Sequence, residues 1–100
     1  MWKSFNDGLS LGTHGSENGE IIKDEEYDND ARITLEKNGV TAPFAITCGI
    51  YGLFCHTAFC SNYDSALKRI EEMKQDIVKI LIELNDDNMS ELLQSFVDKY

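Results

Sequence analysis

The spacing of apolar side chains changes once along this chain, near Cys60, and that change limits the fold more than any other feature. Before it, Arg32-Ile33-Thr34-Leu35-Glu36 alternates polar and apolar residues, as a half-buried strand does. After it, Ala66, Ile70, Met73, Ile77, Ile80 and Leu84 recur in steps of four and three, the stripe of an amphipathic helix. Strands followed by helices predict an α+β fold, with helices covering one face of an antiparallel sheet. The expected architecture is a β-meander of three to four strands over residues 20–60. Two C-terminal helices, over residues 62–84 and 88–99, cover it. Gly8, Gly12, Gly15 and Gly19, set among Ser, Asn and Thr, leave residues 1–20 irregular or at most a short edge strand of a single domain spanning residues 1–100.

Within the meander, Asn38-Gly39 is the strongest hairpin signal, because both central residues of a type I′ turn need positive φ. A two-residue loop there sets Lys37 against Val40, Leu35 against Ala42 and Ile33 against Phe44. Pro43, which cannot donate to a ladder, then marks an edge or a bulge. A further turn near Gly49-Ile50-Tyr51-Gly52 returns Leu53 to Cys60 as the next strand. A loop of two or of four residues places Phe44, Ile46, Cys48, Leu53, Cys55, Thr57 and Phe59 on the core face. Arg32, Thr34, Ala45, Thr47, Phe54, His56 and Ala58 then form the other face.

The same region raises the question of a membrane span, since the nineteen residues Ala42 to Cys60 hold no Lys, Arg, Asp or Glu. Pro43, Gly49, Gly52 and His56, the β-branched and aromatic content and the lack of flanking cations favour two buried strands instead. Charge points the same way. Eighteen acidic against nine basic residues give a net charge of -9, which repels phosphate backbones and anionic lipid. Nucleic acid and membrane surfaces are therefore poor partners, and a protein partner, in particular a basic one, is a better match.

Three cysteines, Cys48, Cys55 and Cys60, form no regular disulfide framework, so reduced thiols and a cytoplasmic location are expected. Met1 to Gly8 lacks the apolar run of a signal peptide. Asp24-Glu25-Glu26-Tyr27-Asp28-Asn29-Asp30 invites a calcium site, yet neither Asp24 nor Asp28 starts an EF-hand register with the required glycine and glutamate. A solvated acidic turn is the expectation. Gly12-Thr13-His14-Gly15-Ser16 lacks the lysine of a phosphate loop and reads as surface.

Thiol and imidazole at Cys55-His56, with Cys60 and Cys48 nearby, are the groups of zinc sites and of cysteine nucleophiles. On one strand, however, Cys55 and His56 point to opposite faces. His56 and Cys60 lie about 13 Å apart at about 3.3 Å per residue, so no metal and no cofactor are expected. Cys48 and Cys55 would face each other across a tight Tyr51-Gly52 turn and could form a redox pair. The best candidate for a ligand site is His56 with Thr47, Phe54, Tyr51 and Arg32, on the face the core does not claim. No nucleophile triad, nucleotide loop or paired-carboxylate motif occurs.

Small acidic cytoplasmic inhibitors, adaptors and immunity-type proteins of bacteria share this size and charge. The likeness is one of composition, and no residue motif places the chain in a family. The expectation is a protein-interaction module, with a homodimer adding apolar burial. The alternative is a small ligand-binding domain or thiol-dependent enzyme around His56 and Cys55.

Overall fold

A computed structural model describes residues 1–100. The chain forms one five-stranded antiparallel sheet in sequential order, β1 (Trp2–Ser4), β2 (Glu20–Tyr27), β3 (Ala31–Lys37), β4 (Phe44–Ile50) and β5 (Phe54–Cys60). Two helices follow, α1 (Tyr63–Glu83) and α2 (Met89–Lys99). The α+β expectation holds, with one more strand than the upper figure of four: β1 pairs along the outer end of β2. No helix is long and apolar enough to cross a membrane.

Both helices lie on one face of the sheet, and the side chains there form the core. Ile33, Leu35, Ile46 and Cys48 meet Ala66, Ile70, Met73 and Ile77, all of them buried. At about 1.5–3 kcal/mol for each large apolar side chain removed from water, this layer dominates the favourable side of folding. Helix α1 begins where the Asn62 side chain accepts a hydrogen bond from Ser65 N (2.8 Å) and caps the first turn. It ends at the Asn85 to Asn88 turn, where Asn88 Nδ2 donates to Glu83 O and Asn85 Oδ1 accepts from Asp87 N and Asn88 N. Phe96 from α2 is buried against Phe54 in an edge-on contact, with ring centroids 5.4 Å apart.

Three local features depart from the sequence reading. The β3–β4 loop is six residues long, because Lys37 pairs with Phe44, Leu35 with Ile46 and Ile33 with Cys48. Asn38 alone is left-handed there (φ 58), and its N–H donates to Pro43 O (2.8 Å). Gly39 has a different reason to be glycine: a β-carbon would lie 2.8 Å from Glu17 O. The register moves by four, an even number, so every β4 residue keeps its expected face.

The second departure reverses β5. Three residues, Tyr51-Gly52-Leu53, separate the paired Ile50 and Phe54, with Leu53 N donating to Ile50 O (3.0 Å) and Gly52 at φ 78. An odd loop inverts the face of everything after it. Phe54, His56, Ala58 and Cys60 therefore face the helices, while Cys55, Thr57 and Phe59 face away.

The third concerns the acidic run. Asp24 to Tyr27 belong to β2, and only Asp28, Asn29 and Asp30 form the turn, with Asp28 left-handed (φ 50). Its carboxylates are mostly engaged: Asp24 with Arg32, Glu25 with Lys74 (2.8 Å), Glu26 with the Tyr51 hydroxyl (2.7 Å).

Candidate functional site

The face of the sheet opposite the helices is polar and only partly covered. Residues 5–19 cross over it. Asn6 and Asp7 adopt left-handed backbone (φ 49 and 53), a conformation their short polar side chains tolerate, and this turn sets the Phe5 ring 3.7 Å from the Arg32 guanidinium carbon. Further on, Gly12 N donates to Ile21 O (2.8 Å) and Ile21 N to Thr13 O (2.9 Å), which ties the segment to the start of β2.

Between this segment and the sheet lies a cavity of about 340 Å³, lined among others by Arg32, Thr34, Glu36, Thr47, Tyr51 and Cys55. Its polar floor comes from alternate positions of β3 and from β4, and Asp24 of β2 is hydrogen-bonded to two of these side chains. Asp24 pairs with Arg32 in a forked contact, Nε to Oδ1 at 2.9 Å and Nη2 to Oδ2 at 2.6 Å, and Asp24 Oδ1 also accepts from the Thr34 hydroxyl (2.9 Å). The Asp24 hydrogen bond raises the pKa of Arg32 above its usual value, although partial burial opposes the rise. Thr47 and Thr57 share a hydrogen bond (3.1 Å) across β4 and β5.

Glu36 is the most unusual member. Only 1% of it is exposed, and no lysine or arginine pairs with it; its carboxylate accepts from Gly19 N (3.0 Å) and Glu17 N (3.1 Å). Gly15 packs directly on this carboxylate, where a β-carbon would collide with it. Glu36 thus fastens the covering segment to the sheet and leaves a carboxyl group with no cationic partner in the cavity wall. At the rim, burial first and then donation to Glu26 push the Tyr51 hydroxyl up to about 12, so it stays protonated at neutral pH.

Of the five expected ligand-site residues, Arg32, Thr47 and Tyr51 line this cavity, and Phe54 borders it while its ring packs on Phe96 on the helix side. His56 does not. The inverted β5 places it opposite Cys48, on the helix side, with its ring 6.3 Å from that of Phe96 and its Nε2 buried without a hydrogen-bond partner. Thr47 meets Thr57 instead.

The expected redox pairing is also not formed, since Cys48 lies opposite His56 and Cys55 opposite Gly49. Burial, with a smaller contribution from the neighbouring Cys55, pushes the Cys48 thiol up to about 12, which keeps it a protonated core group. Asp24, Glu36 and Gly15 are not among the ligand-site residues expected from the sequence. A signal existed for the first. Asp24 and Thr34, like Glu26 and Arg32, stand at mirror positions about the Asp28 to Asp30 turn, so a hairpin centred there would have paired them.

Comparison of the chain with protein-family models, with curated proteins and with solved structures gives no match.

Proposed function

We propose that this chain is a protein-binding module, of the adaptor or inhibitor kind, that receives a basic side chain of its partner in the cavity beneath residues 5–19. The observation that carries this reading is the charge balance of the cavity. Arg32, its one cation, is already matched by Asp24, whereas Glu36 has only backbone donors. A lysine or arginine reaching past Tyr51 would meet that unpaired carboxyl in a half-enclosed site, where charge pairs are stronger than on an open surface. The net charge of -9 adds long-range attraction for such a partner.

The test is capture of partners from lysate by the full chain and by its Glu36→Gln variant. The expected partner is basic, is released by salt and is held more weakly by the variant. An acidic partner, or one bound equally by Glu36→Gln and retained at high salt, contradicts the proposal.

A second reading, a small-ligand site in the same cavity, is favoured by Arg32, Thr47 and Tyr51 all lining it and by the exposed Cys55 at its wall. A small cationic or neutral compound that raises the melting temperature, and loses that effect in Tyr51→Ala, would support it.

A further inference from the structure

The two edges of the sheet are treated differently. At one end, β1 is three residues long and carries Lys3, while the beginning of β2 is engaged by residues 12 to 14. Short strands, lysines and covering loops are the usual means of stopping a sheet from pairing with another chain. At the other end, β5 has none of them. Its seven residues, Phe54 to Cys60, contain no charge and no proline and run in unbroken register with β4. Beyond β4, no backbone or side-chain group bonds to its main chain, so the donors and acceptors on its outer side are open.

The side chains beside that edge are apolar and exposed. Phe59, 43% exposed, and the exposed Cys55 flank Thr57 on the helix-free face. We propose that two copies of this chain pair antiparallel along β5, about a two-fold axis through Thr57, and so join their sheets into a single sheet of ten strands.

Symmetry and charge select a second copy over another partner. A strand that pairs antiparallel with itself is self-complementary, as a two-fold interface requires. A register centred on Thr57 uses all seven residues. It sets Phe59 against Cys55 of the second copy on one face and Ala58 against His56 on the other, with paired residues on matching sides of the pleat. Two chains each carrying -9 approach most easily where carboxylates are absent, and no Asp, Glu, Lys or Arg lies between Asn38 and Tyr63. A basic partner would gain nothing from its charge at this edge. The two-fold axis stands perpendicular to the sheet, so both helical layers lie on one side and both cavities open on the other. The dimer would thus present two copies of the proposed binding site in one direction.

Sedimentation of the full chain over a range of concentrations tests the pairing. The wild type should sediment as a dimer. Phe59→Lys lowers the overall repulsion between copies yet puts a charge beside the axis, and should weaken the dimer by about tenfold or more. In a Cys55→Ser background, a cysteine introduced as Thr57→Cys should be joined to its copy by a short bis-maleimide, whereas one introduced as Glu72→Cys on α1 should not. A monomer at every concentration overturns the proposal. So does a dimer that Phe59→Lys leaves unchanged, or one with no cross-link at Thr57→Cys. If Phe59→Lys does not fold, the cross-linking result decides alone.

Discussion

Replacing Asp24 tests whether the polar floor of the cavity is part of the fold or an ornament on it. The Asp24 side chain has no exposed surface and accepts three hydrogen bonds, two from Arg32 and one from the Thr34 hydroxyl. Asp24→Ala leaves a guanidinium and a buried hydroxyl without their acceptor. Breaking a fully buried pair from one side costs about 3–5 kcal/mol. Arg32 retains a third of its side-chain surface in contact with water, so rehydration should hold the loss near the lower limit, at about 3 kcal/mol. Asp24→Asn keeps one acceptor oxygen but turns an amide donor towards Arg32, and should lose about 2 kcal/mol. Removing both charges, as in Asp24→Leu with Arg32→Met, should cost less than Asp24→Ala alone, because no unpaired ion remains. Urea denaturation reads these values from the shift in midpoint at constant slope. For a domain whose whole stability is about 5–15 kcal/mol, a loss of this size is readily measured. A change below about 0.5 kcal/mol for Asp24→Ala, or strict additivity in the double variant, would refute the reasoning.

Four further outcomes follow from particular contacts. Ile77 is wholly buried beneath the sheet, so Ile77→Ala removes three carbons at about 0.8 kcal/mol each and leaves a cavity, for a total loss of about 3–5 kcal/mol in the same assay; an unchanged midpoint would contradict the helix stripe. His56→Phe keeps a ring against Phe96 while removing the unpartnered Nε2, and should leave thermal stability unchanged or raised by about 1 kcal/mol; a loss of that size instead would show that Nε2 has a partner. Partial burial opposes ionisation of Asp76, but donation from Lys99 Nζ (2.7 Å) and the Tyr100 hydroxyl (2.6 Å) outweighs it and holds the carboxyl below its usual value. That contribution is present above about pH 4 and is lost as pH falls through the lower folded value, so Asp76→Asn should flatten the acid limb of a stability profile. Burial, then donation to Asp76, pushes the Tyr100 hydroxyl up to about 12. Its contribution is complete below about pH 10 and is lost as pH rises through 12, which Tyr100→Phe should remove.

What the sequence revealed depended on whether the decisive interaction was periodic. The α1 stripe from Ala66 to Ile80 is buried as its spacing predicts, and the shared face of Ile33, Leu35, Ile46 and Cys48 holds although their partners move by four positions. Periodicity determines a face; it does not determine loop length. The six-residue β3–β4 loop rests on contacts between residues 38–40 and Glu17, Gly19 and Pro43, and Glu17 and Gly19 lie far away in sequence. At Tyr51-Gly52-Leu53 a single additional residue was enough to turn His56 inward and Phe59 outward. Most of the candidate site survives that inversion because Arg32, Thr47 and Tyr51 precede Gly52 in the chain. Charge density, in contrast, misled the reading of Asp24 to Asp30. A carboxylate enters the interior only with a partner, and the partners of Asp24 come from the next strand.

The orientation of β5 underlies both the cavity and the proposed dimer, and a nuclear Overhauser spectrum of the wild-type chain tests it most directly. Cross-peaks should join the His56 and Phe96 rings and, on the opposite face, the methyl groups of Thr47 and Thr57. Cross-peaks from His56 to Thr47 or Arg32, with Phe59 meeting the helices, would contradict the account.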